Sequence, residues 1–92
     1  MRKLKFIRFH AIWCGPCKMF EKTFQKLKEE PGFENDTFLE YDVDNHPEEV
    51  EKYGVMSVPT TTVIDAETGE FLTNIIGNIQ LQQLVATIAD FR

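Results

Sequence analysis

Long apolar runs are missing from this 92-residue chain, and with them any segment able to cross a bilayer as a helix, which takes about 20 largely apolar residues. Internal repeats and low-complexity tracts are absent too. No flavin or nicotinamide motif is present, so no organic cofactor is implied. Cysteine occurs only twice, and no second pair with ligand-like spacing follows. A zinc site would therefore have to recruit His10 and His46, or poorer carboxylate ligands. Positive charge is also in short supply. A net charge of −5 and the lack of a recognised binding motif argue against a nucleic-acid partner. The basic opening Met1-Arg2-Lys3 begins as a signal peptide does, but Arg8 and His10 interrupt the apolar region such a signal needs. Cleavage downstream would also remove the cysteines. The chain reads as mature and cytoplasmic, a compartment where two lone cysteines point to catalysis or metal binding more than to a structural staple.

Charge is unevenly placed. Residues 1–28 carry eight Lys or Arg against the single Glu21, while residues 29–92 carry two basic and fourteen acidic residues. Packing of the two halves against each other accounts for this without a polyanionic partner. The length, with no composition break that suggests two domains, predicts one domain over residues 1–92, with one compact core.

Periodicity supplies the elements. Leu4 to Phe9 reads as a strand. From Pro16 to about Glu30, Phe20, Phe24 and Leu27 recur at helical spacing, with Lys18, Lys22 and Lys26 on a solvated face, until Pro31-Gly32 ends the helix. Thr37 to Asp42 is a second strand. Asn45-His46-Pro47-Glu48-Glu49 opens a short helix, with Asn45 as the cap candidate, and Tyr53-Gly54 closes it. Thr60 to Ile64 and Glu70 to Ile76 flank a hairpin loop. Asn78 is the candidate cap of a last helix bearing Leu81, Leu84, Val85 and Ile88 on one face.

The chemistry is concentrated in Trp13-Cys14-Gly15-Pro16-Cys17-Lys18, where a strand gives way to a helix. Thiols two residues apart can close a disulfide across one turn. The first would sit at a helix N-terminus, where unpaired N–H groups and the helix dipole favour thiolate, the species that attacks disulfides. A purely structural disulfide over so short a loop contributes only about 2 kcal/mol before strain.

Ala11-Ile12-Trp13-Cys14-Gly15-Pro16-Cys17-Lys18-Met19 resembles the active-site segment of thioredoxins. The similarity continues through Asp42-Val43-Asp44, Tyr53-Gly54-Val55, Val58-Pro59-Thr60 and Gly77, collinear from about Lys5 to the C-terminus. The resemblance implies an α/β architecture, a minimal thioredoxin fold with a four-stranded mixed sheet flanked by helices on both faces. It implies strand order second–first–third–fourth, with Thr37–Asp42 at an edge. Cys14 would be the exposed nucleophile and Cys17 the buried resolving thiol. Pro59 would be cis and face them. Val58 would offer backbone hydrogen bonds to an extended substrate, and Trp13, Gly15, Pro16 and Gly77 would line the groove.

Three departures from the family pattern stand out. The usual N-terminal strand and helix do not precede Leu4. Lys22 stands where many thioredoxins have a helix-kinking proline, which predicts a straighter first helix. Arg8 occupies the place of a buried aspartate beneath the cysteines, and Glu40 that of its lysine partner, so both become candidates for redox tuning. The expected function is reduction of protein disulfides, with electrons from an external reductase, by a monomer whose edge carries Glu40, Asp42 and Asp44. A glutathione-coupled, glutaredoxin-like reductant and a protein-binding module with incidental redox activity are the alternatives. Gly15-Pro16 between the cysteines argues against the first.

Overall fold

Alternation along the first strand divides the molecule into two layers. In the computed structural model, which describes residues 1–92, β1 (Leu4–His10) directs Leu4 and Phe6 to one face of the sheet and Ile7 and Phe9 to the other. Leu4 and Phe6 join a ten-residue cluster with Phe20, Phe24 and Leu27 of α1 (Gly15–Leu27) and Leu84 and Ile88 of α3 (Leu81–Ala89). Ile7 and Phe9 pack with Val55 and Ile64, covered by Val50 and Tyr53 from α2 (Pro47–Lys52) and its C-terminal cap. Arg8 falls on the α1 side by the same alternation, so a guanidinium enters an apolar layer.

The sheet is completed by β2 (Thr37–Asp42), β3 (Thr60–Asp65) and β4 (Phe71–Ile76), in the order β2-β1-β3-β4. β1 and β2 run parallel, joined by α1 as the crossover that parallel strands require. The β1–β3 and β3–β4 pairs are antiparallel. This is the expected four-stranded mixed sheet, with helices on both faces and β2 at its edge. No helix is long and apolar enough to cross a membrane.

Local chemistry explains the boundaries, including those that differ from expectation. α1 stops at Leu27, short of Glu30, and continues only as turns to Gly32, whose φ of 94° reverses the chain. It passes unbroken through Lys22, and its lysine stripe is exposed. Neither asparagine is the cap. His46 occupies that position in α2, because Pro47 supplies the first helical residue, and Gln80 does so in α3. There Ile79 is drawn onto the core, and the chain stays extended through Gln80, at φ −68° and ψ 151°. The β3–β4 loop is held by Asp65, whose carboxylate accepts from the backbone N–H groups of Glu67 and Thr68 at 2.8 and 2.9 Å. Those bonds, Thr68 first, hold the Asp65 carboxyl below the usual aspartate range.

Phe24 is fully enclosed where α1 meets the sheet. Phe24→Ala should cost about 3–5 kcal/mol, the range for aromatic truncation in a core. Urea unfolding should show a lower midpoint with an unchanged slope. Lys22→Ala, on the exposed face of the same helix, should change stability by no more than about 0.5 kcal/mol.

Candidate active site

Cys14 is the N-cap of α1, with an extended backbone at φ −95° and ψ 108°, and Pro16 stands in the first helical turn. Proline there needs no N–H partner, and its fixed φ suits the helix start. One turn on, the N–H of Cys17 donates to Cys14 Sγ at 3.1 Å. The two sulfurs form a disulfide, with Cα atoms 5.3 Å apart. After reduction the same N–H and the open helix end favour a Cys14 thiolate. The oxidised site corrects one expectation: both cysteines are buried, Cys14 at 5% exposure and Cys17 at 2%. Packing against Ala11, with Val43 and Val58 alongside, encloses the bridged pair. Trp13, Gly15 and Pro16 around it are exposed.

One flank of the pair is apolar. Trp13, Val43, Val50, Val55, Met56 and Val58 line a groove of about 190 Å3. Trp13 is 67% exposed, and its Nε1–H donates to Asp44 at 3.3 Å, which fixes the indole over the groove. The carbonyl oxygen of Val58 lies 3.8 Å from Cys14 Sγ. The Val58–Pro59 bond is cis, and Pro59 is buried. Two hydrogen bonds hold this loop: Thr60 Oγ1–H donates to Ser57 O at 2.7 Å, and the Gly77 N–H donates to Pro59 O at 2.8 Å. Gly77 has φ of 99°, which any side chain would strain. Trp13 and Val58 thus form groove walls, whereas Gly15, Pro16 and Gly77 lie outside them.

The other flank is polar and charged. Arg8, His10, Cys17, Lys18 and Glu21 line a second pocket of about 320 Å3, on the α1 side of the sheet. Arg8 is 5% exposed. Its Nε and Nη2 meet Glu40 Oε1 at 2.8 and 2.6 Å, and its Nη1 donates to the Cys17 carbonyl at 3.3 Å. The exchanged charges therefore do pair, in direct β1–β2 register, directly under the helix start. Thr61, the β3 register partner of Arg8, carries a buried hydroxyl with no hydrogen-bond partner. Burial, then the Arg8 charge, pushes the His10 imidazole below its ordinary value, and Asp42, Glu40 and Glu21 oppose this.

Sequence reasoning placed the cysteines, Pro59 and the Arg8–Glu40 exchange. It overlooked His10 as a neighbour of Cys17, although alternation with Arg8 along β1 was the available signal. It also overlooked Met56 and Val43, whose role depends on how the α2–β3 loop folds back. No three His, Cys, Asp or Glu side chains converge as a metal-ligating group.

Comparison with known proteins agrees with this geometry. A family profile described as Thioredoxin matches residues 1–90. The chain is 41% identical over 78 residues to the thioredoxin of Bacillus subtilis, spanning 84% of this chain and 74% of that protein. It is 36% identical over 87 residues to the thioredoxin of Staphylococcus epidermidis, spanning 95% and 80% respectively. Among solved structures, Malassezia sympodialis thioredoxin superposes with a TM-score of 0.84 at 29% identity, over 97% of this chain and 75% of that one.

The His10 environment gives a direct pH test. Its NMR titration midpoint should lie below 6.5 in the folded protein, and Arg8→Met should raise it. The unfolded chain then binds this proton more readily than the folded one. Stability should therefore fall as pH drops from 6.5 through the folded midpoint. A midpoint at or above 6.5 contradicts the assignment.

Proposed function

Because the chain belongs to the thioredoxin family, we propose that it reduces disulfides in client proteins by dithiol exchange, with Cys14 as the attacking sulfur and Cys17 as the resolving one. The chain is a thiol–disulfide oxidoreductase, and the observation that carries the proposed division of labour is the Cys17 N–H aimed at Cys14 Sγ. In the first step the Cys14 thiolate attacks a client sulfur. A mixed disulfide forms, and the other client sulfur leaves as a thiolate that takes a proton. Cys17 then attacks Cys14 Sγ, the client is released with both sulfurs reduced, and the Cys14–Cys17 disulfide remains. An external reductase returns two electrons to it.

The groove beside Cys14 supports binding of an extended client segment. Val58 offers its carbonyl beside the sulfur, and Trp13, Val43 and Met56 offer apolar contact. Gly15 and Pro16, exposed at the helix start, let the client backbone approach, and Pro59 and Gly77 hold the opposing loop in place. A cytoplasmic site of action is supported by a cysteine content limited to the exchanging pair. Monomeric action is supported by the charged edge of β2, where Glu40 and Asp42 precede Asp44.

Arg8 and Glu40 tune the pair in this reading. A unit charge ~7 Å from a thiolate is worth roughly 2 kcal/mol at an effective dielectric of ~20. Glu40 offsets most of it, which leaves a few tenths to about one pKa unit in favour of thiolate.

The reduced protein should accelerate insulin reduction by dithiothreitol, and Cys14→Ser should abolish the acceleration. Retained activity in Cys14→Ser rules the assignment out. Cys17→Ser should accumulate a covalent mixed disulfide with the client. Arg8→Met, once shown to fold, should shift the onset of thiolate absorbance to higher pH by up to about one unit. An unchanged titration makes the Arg8–Glu40 pair purely structural.

A further inference from the structure

The second half of the exchange leaves a question the two cysteines do not answer. Cys17 must lose a proton before it attacks Cys14, and it is 2% exposed. Its nearest buried charged neighbour, Arg8, has no lone pair to receive that proton. Glu40, whose Oε1 accepts from two Arg8 nitrogens, does not line the pocket that Cys17 faces. Lys18, on the pocket rim, is a cation under ordinary conditions, and Glu21 is exposed on the outer face of α1.

His10 is different. It lines the same pocket as Cys17, on the same face of β1 as Arg8. Only burial and surrounding charge act on its ring, and no hydrogen bond does. A neutral imidazole there keeps a lone pair for an incoming proton. By contrast, the other histidine, His46, faces Glu49 at 3.5 Å and stacks on Tyr41. Imidazoles are stronger bases than ordinary carboxylates by about two pK units, which brings them closer to a thiol.

We propose that His10 is the proton acceptor for Cys17 when the mixed disulfide is resolved, across the pocket bounded by Arg8, Lys18 and Glu21. This rests on the reading of Cys17 as the resolving thiol. The Cys17 S–H proton passes to an imidazole nitrogen, directly or through solvent in the pocket. The Cys17 sulfur forms its bond to Cys14 Sγ as the Cys14–client bond breaks. The electron pair of that bond leaves with the client sulfur, which takes a proton from the imidazolium or from solvent. The protein is oxidised by two electrons, and the client disulfide is reduced by two. Burial and the Arg8 charge disfavour a lasting imidazolium, whereas Asp42, Glu40 and Glu21 favour it. The ring therefore takes the proton and passes it on. His10 stands against Asp42 in the β1–β2 register, so the groups that set its titration come from β1, β2 and α1.

The test separates the two thiol steps with a chromogenic aromatic disulfide. The reduced protein releases one coloured thiolate on attack by Cys14 and a second on resolution by Cys17. In the wild type, the rate of the second release should fall at low pH with an inflection that coincides with the His10 NMR titration, and the first release should lack it. His10→Gln should remove that inflection and slow the second release roughly tenfold to a hundredfold, at or just below the low end for a positioned proton acceptor. It should leave the first release within about twofold. In His10→Ala, added imidazole should restore the second release in proportion to its concentration, which a lost packing contact would not permit. The proposal is overturned if the wild-type second release shows no inflection at the His10 midpoint, an arm that needs no variant to fold. It is equally overturned if Glu40→Gln abolishes the inflection while His10→Gln retains it. A wild-type protein that releases no second thiolate at any pH would instead refute the dithiol reading beneath it.

Discussion

Phe20, Phe24 and Leu27 press α1 onto Leu4, Phe6 and Val63 of the sheet, and the position of the dithiol follows from that contact. The helix starts at Gly15, five residues after β1 ends at His10. The seating of three apolar side chains thus decides where the free N–H groups at its first turn point. Phe20 and Phe24 are buried to 1% and 0% exposure, and Phe38 meets Phe24 edge-on, with ring centroids 5.7 Å apart. Aromatic rings of this size leave little freedom for a small shift, because a displaced ring would open a void on one side and a clash on the other. Cys14 and Cys17 are held by a rigid body rather than by a loop.

Onto that seating the chain adds a buried cation. A guanidinium in an apolar layer is tolerated only when its donors are engaged, and Arg8 meets that condition with Glu40 and the Cys17 carbonyl. The pair spans the β1–β2 register and one donor reaches α1, so three elements converge on one side chain. Glu40 keeps 31% of its side chain in solvent, which reduces the desolvation cost of the pair. It also leaves the net field at the sulfurs sensitive to whatever sits beside that edge.

Much of this was legible in the sequence, for local reasons. Aromatic and β-branched residues with short polar interruptions in Leu4 to Phe9 reflect a strand buried on both faces, and the period-3.6 recurrence of Phe20, Phe24 and Leu27 reflects burial of one helix face, so the strands, the main helix and their order along the chain could be read. The cysteine spacing and the glycine before Asn78 could be read as well. The starts of α2 and α3 could not. Asn45 and Asn78 have the right chemistry for capping, yet the position was taken by residues next to Pro47 and Ile79, whose ring geometry and core contact outweigh a single side-chain hydrogen bond. The same limit hid His10 and Met56. Each acquires its neighbours only when segments far apart in sequence meet, and no local pattern encodes that meeting.

The two hollows beside the dithiol share no residue. One is built from the α2 side and the loop into β3, and the other from the α1 side and the inner end of β1. In the proposed reading, client binding and the electrostatics of Cys17 draw on separate hollows. Such a division makes the scaffold adaptable: the exposed Met56 can be exchanged to suit a new client while the charge balance under the helix is left alone.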